Sequence, residues 1–154
     1  MAVVALGSAL FQAGISLAVL IACQIAIGSG FHWPTLVVPL LIFPLCLFTL
    51  GLAWFLSALG VFVRDVGQII PPIVTALLFL SPIFYPVSAL PEWIHPVLSY
   101  SPIAYSVEAV RDATIFGRVP GLVSYLMALA GGLAVAVLGF AFFHKTRKGF
   151  ADVL

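Results

Sequence analysis

Apolar positions run almost unbroken along this chain, and its few charged residues fall between the runs. No Asp, Glu, Lys or Arg occurs in residues 1–63, and charge-free runs recur over 66–91 and 119–143. Each run exceeds the roughly 18 apolar residues that mark a membrane-span candidate. As one helix the first would be about 95 Å long, about three times the hydrocarbon thickness, so it must turn back. The turn is GSGFHWP: Gly28 and Gly30 break the helix, Pro34 restarts it, and Phe31, His32 and Trp33 suit the interfacial aromatic belt. This pattern predicts spans over 3–27 and 35–63, a third over 69–85 after Arg64 and Asp65, and a fourth over 123–143. Four spans put both termini on one side.

The predicted fold is therefore an all-α membrane protein, a single transmembrane domain over 1–154, with four transmembrane helices and two short re-entrant or interfacial helices on the outer side. Those two come from the segment 87–119, whose apolar parts, 89–98 and 103–115, are each too short to cross. In the second part Val107, Val110 and Thr114 alternate with Glu108, Arg111 and Asp112, which suits a helix lying at the interface or re-entering it. Lys145, Arg147 and Lys148 follow the last span, so the positive-inside rule places the tail 144–154 in the cytoplasm. The Arg64–Asp65 turn is then cytoplasmic too. Asp65 is positioned to cap the next helix, with Gln68 three residues on as in a capping box.

Within the spans, Ala5, Ser8, Ala9, Gln12, Ser16 and Cys23 share one helical face, which prefers protein or water to lipid. Ala128, Gly132 and Ala136 follow the small-xxx-small spacing that lets helices approach closely. Pro39 and Pro44 are expected to interrupt the second span, and Pro71 and Pro72 to bend the third.

Composition narrows the function. Charged residues make up 7% of the chain against 64% hydrophobic, too few to cover a soluble domain, which averages roughly 25% charged. The opening MAVVALGSALFQ lacks the basic region of a secretion signal, so it reads as a retained span. A net charge of +1 offers no basic face for nucleic acid. Cys23 and Cys46 have no metal-ligand spacing to a second Cys or His. No ionisable residue falls at mid-span, which argues against ion-coupled transport. No phosphate-binding loop occurs, and no acid pair or nucleophile with a base converges. The expectation is a chain that is not an enzyme, with no catalytic, metal or cofactor-binding residues. Any ATP hydrolysis would occur on a separate subunit.

Several features together resemble one family. Arg64-Asp65 closes a span, then come Ser81-Pro82-Ile83-Phe84-Tyr85-Pro86, Leu90-Pro91, the Pro102, Glu108 and Arg111 run, and a tail ending Phe150-Ala151-Asp152-Val153. In order and spacing these resemble the membrane (permease) subunits of ABC-type cell-surface polysaccharide exporters, which carry O-antigen, capsule or teichoic acid. The resemblance implies a multi-pass permease of the bacterial cytoplasmic (inner) membrane. Its partners would be a second permease subunit in a homodimer, separate ATP-binding subunits, the lipid bilayer and a lipid-linked polysaccharide. It places Phe84, Tyr85, Tyr100 and Tyr105 along the substrate path, where aromatic faces stack on sugar rings. Arg64 and Asp65 fall on the side where the ATPase docks. The four spans match the last four of six, so the expectation is a chain lacking the N-terminal third of such a permease. An exporter of drugs or lipids with the same fold, or a non-transporting membrane scaffold, would share these spans.

Overall fold

The computed structural model describes residues 2–27, 33–63, 65–80 and 101–146. Among these, every regular element is helical: α1 (Ala2–Ile27), a 3-10 turn (Trp33–Val37) running into α2 (Val38–Phe62), α3 (Val66–Leu80), α4 (Pro102–Ile115) and α5 (Leu122–Thr146). Three stretches are long and apolar enough to cross a membrane: Val3–Ala26, Trp33–Phe62 and Leu122–Thr146. They match three of the four expected spans. The other, 69–85, starts earlier, at Val66, and its described part ends at Leu80. Fifteen residues reach only about 22 Å, short of the roughly 30 Å hydrocarbon layer. Residues 81–85 lie outside the described residues, as does the first of the two expected outer helices, 89–98.

The centre of the molecule is α2 packed lengthwise on α5, and small residues let the backbones meet. A Cβ on Gly132 would strike the Pro44 carbonyl, one on Gly51 the backbone of Val135, and one on Gly139 the backbone of Gly51. Of the expected Ala128, Gly132 and Ala136 stripe, the last two are buried in this seam; Ala128 is only half-buried. Further along, Trp54 meets Phe140 edge-on at 5.2 Å between centroids, and Phe55 meets Phe142 at 5.0 Å. The partners advance together along both helices, so α2 and α5 run parallel. The chain between them must therefore return from the Phe62 end to the Leu122 end.

Two proline expectations need correction. Pro39 falls in the first turn of α2, where its missing N–H costs nothing. Pro44 lies inside α2, yet the helix continues through it; the residue is buried, and its backbone carbonyl faces Gly132 of α5. In α3, Pro71 and Pro72 lie within the helix, and the Thr75 hydroxyl donates to the Pro71 carbonyl at 3.0 Å. Backbone bonds from Gln68 and Ile69 to the Asp65 carbonyl, at 3.0 and 3.2 Å, start this helix; the Asp65 side chain itself is exposed.

α4 begins at Ser101, whose hydroxyl accepts from the Ala104 N–H at 3.5 Å, with proline next. It ends at Gly117, whose positive φ of 62° turns the chain so that the Arg118 N–H returns to the Asp112 carbonyl at 2.9 Å. Its closest-packed positions are small or hydroxylated: Ala104, Ser106, Ala109, Ala113 and Thr114. Ala109 and Ala113 form the core cluster with Val38 and Leu41 of α2. Of the expected apolar face, Thr114 is buried and Val110 packs on that cluster, while Val107 is half-buried.

α1 touches the rest of the molecule through Leu17, Ile21 and Gln24, and Gln24 Nε2 donates to the Thr114 carbonyl at 2.7 Å. The stripe of Ala5, Ser8, Ala9, Gln12, Ser16 and Cys23 is exposed instead, turned away from the other described helices. The face expected to seek protein is thus not the one α1 uses within this chain. Gln24→Leu is expected to cost about 1 kcal/mol, the usual worth of an interhelical hydrogen bond in a membrane protein. The check is the thermal midpoint in detergent; an unchanged midpoint would mean that the bond holds nothing in place.

Candidate functional site

Where α2, α4 and α5 meet there is a cavity of about 490 Å³. The face of α5 supplies Ser124, Met127, Ala128, Gly131 and Val135, at helical spacing; α2 contributes Phe48; and the start of α4 contributes Ser101, Pro102 and Tyr105. The lining is mainly apolar and aromatic, with two serine hydroxyls.

Its depth follows from register. The end of α4 packs beside Val38 and Leu41, whereas its start shares the cavity with Phe48, so α4 runs antiparallel to α2. Phe48 lies ten residues into α2, about 15 Å from its first turn, or roughly half the hydrocarbon thickness. The N-terminal end of α4, which carries the positive end of the helix dipole, therefore lies level with the middle of the Trp33–Phe62 stretch, beside the cavity. Towards the other end of α4, Arg111 pairs with Glu108 at 2.6 Å, so that these two partly buried charges neutralise each other.

Of the four aromatic residues expected along a substrate path, Phe84, Tyr85 and Tyr100 lie outside the described residues. Tyr105 lines the cavity. Its hydroxyl is buried and finds no hydrogen-bond partner among the described residues. Neighbouring hydroxyls differ: Ser106 and Thr114 bond the carbonyls four residues back, at 2.8 and 2.7 Å. A neutral phenol on a half-buried ring offers a flat apolar face and one polar atom.

Arg64 also lies outside the described residues, and Asp65 is exposed where α3 begins, at the end of the bundle that carries Thr146. Sequence reasoning missed Phe48, Ser124, Met127 and Gly131. Ser124, Ala128, Gly131 and Val135 recur at helical spacing along one face of the last span, and that signal was present.

Comparison with known proteins agrees with this architecture. The sequence matches the family model described as ABC-2 type transporter over residues 1–115. A protein named O-antigen export system permease protein RfbA from Klebsiella pneumoniae is 26% identical over 118 residues, covering 76% of this chain and 45% of that protein. The protein of the same name from Myxococcus xanthus is 27% identical over 142 residues, covering 90% of this chain and 54% of that one. The chain spans about half the length of these relatives. With a family match over three quarters of its length and a bundle of membrane-crossing helices, the chain belongs to the ABC-2 type transporter family of membrane permeases.

Proposed function

We propose that this chain is a permease part of an ATP-driven exporter that moves a lipid-linked polysaccharide of the O-antigen, capsule or teichoic acid type across the cytoplasmic membrane. It would work with a second permease copy and with separate ATP-binding subunits, and it carries no cofactor of its own. The observation that carries the reading is the aromatic cavity beside the middle of the Trp33–Phe62 stretch, in a chain similar to O-antigen export permeases. The parallel run of α2 and α5 supports a fourth crossing by α3 and the residues after it. α4 is then a re-entrant helix whose N-terminus reaches mid-membrane from the outer side, and the basic tail lies in the cytoplasm. Half-helices that end inside a bilayer are tolerated where they line a cavity. Tyr105 would offer its ring to passing sugars. Such contacts suit a conduit, since they hold any sugar weakly enough to let it go.

The mainly apolar lining also favours a second reading, an exporter of drugs or lipids on the same fold. In the bacterium that carries this gene, Tyr105→Ala is expected to lower surface glycan about fivefold, the equivalent of one lost aromatic contact of about 1 kcal/mol. Tyr105→Phe should retain export, and membrane levels of both variants should match the parent. Glycan immunoblots read the result. Unchanged glycan with altered drug tolerance would favour the second reading, and no change in either would favour a scaffold.

A further inference from the structure

The far end of α5 carries a second groove, separate from the cavity. It is shallow, with a volume of about 540 Å³, and is lined by Phe140, Ala141, His144 and Lys145. Its wall is apolar and its lip is polar. Phe140 is fixed between Trp54 of α2, at 5.2 Å, and the His144 ring, at 6.1 Å. His144 and Lys145 are exposed at the last turn, where a helix carries the negative end of its dipole and favours cations. Arg147 and Lys148 follow at once, and the sequence has no Asp or Glu between Asp112 and Asp152. The sequence around Lys145 is thus basic, with no acidic residue near it along the chain.

We propose that this groove binds an anionic phospholipid. The headgroup phosphate sits on the Lys145 ammonium and the His144 ring edge, at the C-terminal turn of α5. One acyl chain follows Phe140 and Ala141 toward the bilayer interior. Charge complementarity selects the headgroup, and the apolar wall selects a lipid over a free phosphate, which would have no use for it. The proposal is independent of the transported substrate and of which leaflet this end faces. It adds a lipid contact at the end of the parallel α2–α5 pair.

The test uses the full chain in nanodiscs of phosphatidylcholine containing a minority of phosphatidylglycerol, with retained lipid counted by native mass spectrometry. Phosphatidylglycerol should be enriched over its share of the disc. Lys145→Gln should lower that enrichment about fivefold, the worth of one cation near an anionic surface, while Lys145→Arg should keep it. Ala141→Phe fills the groove without changing charge and should also lower retention. Arg118→Gln, at the opposite end of the helix, should not. Circular dichroism and gel filtration confirm that each variant is folded. Equal retention of both lipids, insensitivity to Lys145→Gln, or full retention in Ala141→Phe would each overturn the proposal. So would displacement by inorganic phosphate alone.

Discussion

Gly51→Val should leave almost no recoverable folded protein. The added Cβ would fall on the Val135 carbonyl and the Ala136 N–H, atoms of a helix backbone that cannot rotate aside. α2 and α5 would have to separate, and the seam would open along its length, because Gly139 rests on Gly51 itself and Gly132 on Pro44. The Trp54–Phe140 contact further along would go with it. Overpacking one site costs about 1–3 kcal/mol, and here several contacts fail together, so a loss above about 3 kcal/mol is expected. That is a large part of the roughly 5–15 kcal/mol that holds a domain folded. Gly14→Ala and Gly60→Ala are the controls, since a Cβ at either meets nothing within 4 Å. Both should be neutral or gain up to about 1 kcal/mol from better helix propensity. Gel filtration of the solubilised protein, followed by its thermal midpoint, distinguishes the cases. Normal recovery of Gly51→Val would mean that the parallel pair does not organise the fold.

That seam shows how far the sequence can be read. Hydrophobic runs report length and solvent, so the three long helices were visible in them, while the expected turn at GSGFHWP falls mostly on 28–32, outside the described residues. Partners are harder to read, because in lipid an apolar face is content either against a neighbour or against acyl chains. Hence Gly132 and Ala136 were recognised as packing residues, but Gly51, their counterpart in α2, was not: one glycine in a run of Leu, Phe and Ala has no periodic signature. The polar stripe of α1 left its partner open for the same reason. Gln12 and Ser16 suggested a face that wants protein, while the contact within this chain runs through Leu17, Ile21 and Gln24. Pro44 misled differently, since sequence shows the lost N–H but not the glycine across the interface. Tyr105 was chosen by resemblance and proves to line the cavity, whereas Phe48 and Gly131, on spans distant in sequence, needed the three-dimensional register to be placed beside it.

Gly131→Leu should separate a conduit from a packing defect. Gly131 lines the cavity, and a Cβ built there meets nothing within 4 Å, so a larger side chain has room. Removing a helical glycine gains about 1 kcal/mol of propensity, and filling an apolar void adds to the gain. The variant should therefore be at least as stable as the parent, with a thermal midpoint in detergent that is unchanged or higher. If the cavity belongs to the path that cargo follows, the same side chain stands in the way, opposite Tyr105 and Phe48. Export should then fall at least about tenfold, because a sugar ring has no way round a rigid obstacle and shape clashes of this kind cost more than about 1.4 kcal/mol. Gly131→Ala, a much smaller intrusion, should export nearly normally. The opposite result, a more stable protein with full surface glycan, would make the cavity a void left by imperfect packing and would move the path elsewhere in the bundle. Loss of both stability and export would mean that the cavity is needed as a space for the helices themselves. Because stability and transport are expected to move in opposite directions, one substitution measured twice can decide what the cavity is for.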